Sequence, residues 1–332
     1  MRRRIPARTA VAIAAAALLL PALTACTIVS REVRTSDEPI AFASFVPDVT
    51  KAVVENAEGM ENAFAVWGYR TPVGGDAADV LTVFDGDEVY RDDNTAPWTY
   101  DIPRFWVEGH YDFYALHPFP DGTDISAPAA GAEVTASCIA GQGISIVLNS
   151  PKADIDLMTA TASRDYRSAG PDASAVAFSF DHLLAKVSIA VRTEGMGNGL
   201  VHIQSMVLNG PAEGTYTIQN GAGAWTRTGQ GTAFPGWKSG DAGGTPVPDT
   251  GITLLKDYML MPGDPSAFSV TMEYVHNGTS SGPVTISLPE APIWHAGGSF
   301  TYTLTIKGDY IGFDRPLVNG WNDSPGGIII VD

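Results

Sequence analysis

From residue 40 onward the chain consists of short runs in which apolar and polar positions alternate, cut every about 8–12 residues by Gly, Pro, Asn or Asp. The alternation predicts strands over residues 40–46, 64–70, 80–84, 88–91, 98–100, 105–115, 144–148, 176–180 and 185–192. In the second half it predicts strands over 200–208, 214–218, 252–255, 258–261, 268–275, 284–288 and 300–306. Asp85-Gly86, Asn209-Gly210 and Asn220-Gly221 have the composition of tight turns. Residues 154–161 read as a short helix or an edge segment, 51–62 as a loop or short helix, and the Gly/Pro/Ser-rich stretch 229–248 as a loop. This spacing is that of a β-sandwich rather than of alternating strands and helices, so the fold class is all-β. In the first run, Ile40, Phe42, Phe45 and Val46 put apolar groups on both alternating faces, as expected of a strand inside a core.

Composition narrows this picture. Of 332 residues, 45% are hydrophobic and only 17% charged, which suits sizeable cores and excludes a disordered chain. The 35 glycines and 23 prolines follow no Gly-X-Y period. At the N-terminus, Arg2, Arg3 and Arg4 precede an apolar run over residues 11–20, the layout of an export signal and too short to span a bilayer comfortably. Leu23-Thr24-Ala25-Cys26 then looks like a bacterial lipoprotein box, with Cys26 acylated and first in the mature chain. Thr27 in place of Asp favours an outer-membrane, surface-exposed address. Residues 1–25 are thus expected to be a signal peptide and 26–38 a tether, and the remaining length divides into two domains, 39–185 and 186–332. Removing the four arginines of the signal takes the net charge from −17 to −21, which argues against nucleic-acid partners. With Cys26 lipidated, Cys138 has no partner for a disulfide and, lacking a nearby base, reads as a passive small residue.

Signals of chemistry are few. His110, His117, His182, His202, His276 and His295 show no helical i, i+4 pairing with a carboxylate, so neither a metal site nor a cofactor is expected. His182 reads as a hydrogen-bonded histidine at the edge of a core. No Gly-x-Ser-x-Gly elbow is present, and no catalytic residue is assigned. Acidic groups at 85–88 and 92–94 read as solvated turns that lack EF-hand spacing. The aromatic residues around Trp67, Tyr69 and 98–114 fill a core or, as the alternative, stack on sugars.

Several strings together resemble the fimbrillin family, lipoprotein subunits of the type V pili of anaerobic Gram-negative bacteria. They are the Cys26 box, Ile40-Ala41-Phe42 followed by Thr50-Lys51-Ala52, and the strand Phe64-Ala65-Val66-Trp67-Gly68-Tyr69. Further matches are Trp106-Val107-Glu108-Gly109-His110-Tyr111, Asp156-Leu157-Met158 and the run from Val176 through Phe180-Asp181-His182-Leu183-Leu184 to Val187. The resemblance implies two tandem transthyretin-like β-sandwich domains joined near residues 181–187, no enzymatic activity, and trimming that removes the first strand. Family members often carry Arg-Ala at the trimming site, where this chain has Lys51-Ala52; Arg34-Thr35 is the other candidate but would spare the strand. The implied partners are other pilus subunits, the outer membrane through the lipid, and an unidentified surface ligand. The displaced strand would comprise Ile40, Phe42, Phe45 and Val46. Ile328, Ile329, Ile330 and Val331, behind Gly326-Gly327, form the candidate donor strand or, equally, the last core strand of the second domain. Shaft, anchor and tip positions stay open, and a surface lipoprotein that binds glycans for nutrient capture is the alternative function.

Overall fold

The computed structural model describes residues 38–45, 62–93, 95–120, 132–167, 174–196, 199–219, 222–229, 231–308 and 310–320. The first strands are β1 (Phe42–Phe45), β2 (Ala63–Pro72), β3 (Leu81–Tyr90), β4 (Gly109–His117), β5 (Val134–Ile139), β6 (Gly143–Asn149), β7 (Met158–Tyr166), β8 (Val176–Ser179) and β9 (Asp181–His182). They are followed by β10 (Ala185–Thr193), β11 (Val201–Gly210), β12 (Glu213–Gln219), β13 (Ala222–Thr228), β14 (Thr232–Ala233), β15 (Trp237–Lys238) and β16 (Thr245–Pro246). The last are β17 (Ile252–Leu260), β18 (Ser269–His276), β19 (Thr279–Ser287), β20 (Gly298–Lys307), β21 (Tyr310–Phe313) and β22 (Leu317–Gly320). One 3-10 turn, Pro265–Ala267, is the sole helical element among the described residues, so the all-β expectation holds.

A central sheet in the order β3-β2-β4-β7-β9 is covered on both faces. From β2, Phe64 and Val66 enter a core with Phe42, Phe113 and Phe178, while Ala65, Trp67 and Tyr69 enter another with Ile144, Ile146 and Leu148. This double burial explains why β2 is apolar at successive positions: both of its faces are dry. The two-stranded parallel sheet β1-β8 covers one face, and the sheet β13-β12-β6-β5 covers the other. In the remainder of the chain, the sheet containing β17-β10-β20-β21 packs on the one containing β14-β11-β18-β19 around a third core. There β10 and, as far as Leu304, β20, paired in parallel, bury every second residue, the pattern a sheet with one wet face requires.

Several local expectations change. The two strands expected over 80–84 and 88–91 are one strand, β3 (Leu81–Tyr90), and Asp85-Gly86 is a bulge within it rather than a turn. Val66 pairs with Asp87 and Trp67 with Asp85, so the intervening Gly86, at φ 75, is the extra residue. Residues 154–161 are not helical: from Met158 they open β7, which is hydrogen-bonded to β4 along its length and to β9 only at Met158 and Thr159. Asn209-Gly210 ends β11 instead of forming a turn. The Gly/Pro-rich stretch 229–248 lays the short strands β14, β15 and β16 along the edge of β11. The hairpin β12–β13 lies beyond residue 186 in sequence yet pairs with β6, so a sheet crosses the expected 185/186 boundary. Trp225 Nε1 donates to the Leu183 carbonyl at 2.8 Å, and Arg227 donates to the carbonyls of Met261 (2.6 Å) and Asp264 (2.7 Å), fixing that hairpin in place.

Candidate functional site

The site lies where β1 closes the aromatic core. Ile40 and Phe42 are 1% and 5% exposed, whereas Ala41 between them faces solvent. Burial is therefore one-sided over residues 40–43, where the sequence reading expected apolar groups on two buried faces: β1 is the outer layer of its core, so alternate residues point in and out. The Phe42 ring stacks on Phe178 (5.7 Å, 13°) and meets Phe84 (5.3 Å), Tyr100 (5.8 Å) and Phe113 (6.0 Å) edge-on. Such edge and offset arrangements let the positive rim of one ring face the negative face of another.

Few backbone bonds hold this segment. β1 pairs with β8 in parallel, with Phe42 opposite Val176 and Phe45 opposite Ser179, and Val176 N–H donates to the Ala41 carbonyl at 2.7 Å. Ile40 N–H donates to the Arg104 carbonyl at 2.7 Å, and the Tyr100 hydroxyl donates to the Ile40 carbonyl at 2.6 Å. Burial raises the pKa of that hydroxyl, which keeps it a donor. The loop supplying Tyr100 and Arg104 is itself tied down. Arg104 Nε donates to the Val83 carbonyl, its Nη2 lies 2.8 Å from Asp87, and its guanidinium covers the Phe84 ring at 5.2 Å. The sequence marked Tyr100 only as one of the aromatic residues of 98–114 and did not mark Arg104, because their hold on residue 40 arises from a loop folding over a segment about sixty residues earlier.

Cys26, Val46, Lys51, Ala52, Ile328, Ile329, Ile330 and Val331 lie outside the described residues, as do the signal peptide and nearly all of the 26–38 tether. The aromatic residues considered for sugar stacking are largely in cores: Trp67, Trp106, Tyr111 and Phe113 are at most 2% exposed. Cys138 is mostly buried, and burial lifts its thiol to about 12, far above the range of a reactive thiolate. His182 Nδ1 sits 2.8 Å from Asp156 Oδ1 at the rim of the core, a structural contact.

One polar cluster escaped the sequence reading. At the solvent-exposed ends of β4 and β7, His110 Nδ1 is 2.9 Å from Asp165, its Nε2 is 3.1 Å from Ser163 Oγ, and Ser163 donates to Asp112 at 3.0 Å. Strand register brings them together, since His110 is opposite Asp165 and Asp112 opposite Ser163. The hydrogen bond from His110 to Asp165, assisted by Asp112, raises the imidazole pKa. The histidine and both carboxylates are more than 40% exposed, so water competes at each of them, and the cluster is an ordinary cross-strand ladder. Among the described residues no three His, Cys, Asp or Glu side chains are grouped to hold a metal ion.

Comparison with known proteins agrees with this architecture. The fimbrillin-like family matches residues 50–321. A fimbrial protein from Bacteroides vulgatus superposes with a TM-score of 0.54 at 17% identity, over 85% of this chain and 99% of that one. A cell-adhesion candidate from Bacteroides ovatus gives 0.53 at 17% identity, over 89% and 99% of the two chains. Another from Bacteroides uniformis gives 0.51 at 18%, over 86% and 99%. No curated protein matches the chain significantly. At these identities the solved structures support the fold, and the match across residues 50–321 establishes that the chain belongs to the fimbrillin-like family.

Proposed function

We propose that this chain is a non-enzymatic cell-surface lipoprotein, anchored in the outer membrane through Cys26, which serves as a fimbrial structural subunit or a fimbria-associated adhesin. Subunits join by donor-strand exchange after trimming at Lys51-Ala52. The observation that carries this reading is the seating of β1. Its segment fills an aromatic slot with Ile40 and Phe42, pairs among the described residues with the short strand β8 and with the loop residues 104–105, and connects to β2 through residues 46–62, which include Lys51-Ala52. Cutting there would free the segment to leave, exposing a row of rings and unpaired backbone groups. Strand addition from another subunit would cover both at once. The stretch Ile328 to Val331 of another copy is one candidate donor, and the strand of a different subunit is the other.

N-terminal sequencing of the native surface form, together with heat-labile oligomer ladders in outer-membrane fractions, tests the reading. Polymers whose subunits begin at Ala52 are expected, and a precursor retaining Cys26 upstream of the cut. Replacing Cys26 with Ala should release the protein from the membrane or stall it as a precursor, because the tether then lacks acyl chains. Polymers with an intact 40–52 segment would overturn the exchange mechanism.

A further inference from the structure

The exchange reading leaves open which strand enters the slot, and the geometry of the slot restricts the choice. Two carbonyls and one N–H fix the register: the Ala41 carbonyl accepts from Val176, the Ile40 carbonyl accepts from Tyr100, and Ile40 N–H donates to Arg104. An incoming strand must therefore run parallel to β8 and place its inward side chains at the positions of Ile40 and Phe42. The second position is a pocket walled by Phe84, Tyr100, Phe113 and Phe178, with three edge-on contacts and one stacked contact to the resident ring. A branched aliphatic side chain there would forfeit all four ring–ring contacts and leave a gap between flat walls.

The run proposed as donor offers no ring at that place. The candidate donor run is Ile328-Ile329-Ile330-Val331, so its registers present Ile, Val or Asp332, and never a ring, to the Phe42 pocket. Trp321 is the one aromatic residue of 321–332, and Pro325-Gly326-Gly327 separates it from that run, with Pro325 unable to donate to a ladder. Resting on the donor-strand reading above, we infer that the slot selects a strand carrying an aromatic ring two residues after an aliphatic one, and hence prefers the strand of a different subunit to the tail of another copy of this chain.

The test uses the full chain with a sequence-specific protease site inserted after Lys51. After cleavage, fluorescein-labelled peptides are exchanged into the slot in sub-denaturing urea and followed by anisotropy: residues 38–46, the same peptide with Phe42→Ile, and residues 325–332. Lost ring contacts should make the second and third peptides bind at least about tenfold more weakly than the first. If all three bind within about threefold of one another, or the tail peptide binds best, the selectivity is overturned while slot exchange stands. If none binds to a chain that stays folded, exchange itself fails and the inference falls with it. Where cleavage unfolds the chain, refolding in the presence of each peptide gives the same ranking as recovered soluble protein, with the same outcomes deciding.

Discussion

The core around Phe42 is closed on one side by two four-residue strands, whereas the core around Ile189 and Tyr302 is closed by sheets of five and six strands. In the second, β10 is paired along its length with β20 and over most of it with β17, so removing it would sever ladders on both sides. In the first, β1 is paired on one side only and held chiefly by ring packing. Hydrophobic contact is non-directional and a ladder is not, so a strand held by rings can be replaced by another of similar shape, and one held in mid-sheet cannot. The difference teaches where a subunit of this kind can be opened without unravelling.

Substitutions that attack this contrast can be ranked. Phe42→Ala should have the largest effect, about 3–5 kcal/mol by urea denaturation, as expected for emptying a ring-lined site. A loss under about 1 kcal/mol would mean that β1 adds little to its core. Arg227→Ala strips two carbonyls of a half-buried donor and removes a cation held over Phe268 and Trp294. It should cost about 2–3 kcal/mol and loosen the β12–β13 hairpin, seen as faster amide exchange in β12. Tyr302→Phe in the second core leaves Trp294 Nε1 without its 2.8 Å acceptor and should cost about 1–2 kcal/mol with no change in β1 protection. The smallest effect is at His110. Its pKa is raised in the folded state, so its contribution is complete below the unfolded value of about 6.5 and is lost as pH rises through the folded value. Asp165→Asn should flatten that part of the stability–pH profile, and an unchanged profile would show that water screens the pair fully.

Strands with one wet face were readable because alternation survives when the sheet is buried on one side, as in β10 and β20. β7 was not, since Thr159, Thr161, Ser163 and Asp165 alternate with only two alanines, Ala160 and Ala162, and with Arg164, and give an apolar period too faint to register. Asp85-Gly86 shows a composition that serves two geometries: the left-handed glycine of a turn is also the glycine of a bulge, and only the partner strand decides. At the slot, Ile40 and Phe42 were legible from their own hydrophobicity, while the hold of Tyr100 and Arg104 on residue 40 was not. A hydroxyl and a carbonyl that act on a strand far away leave no local pattern.

The pairing of β6 with β12 also sets a timetable. A ribosome releases β6 long before the hairpin that completes its sheet, and β1 waits even longer in sequence for β8 than β6 does for β12. Non-local pairings of this kind close slowly, because loop entropy is spent before any contact rewards it. During that interval the edge of β6 and the inward face of β2 stand open to any passing strand. A nascent chain of this design has to be kept apart from its neighbours until residue 228 has emerged, the end of the hairpin that seals its first sheet.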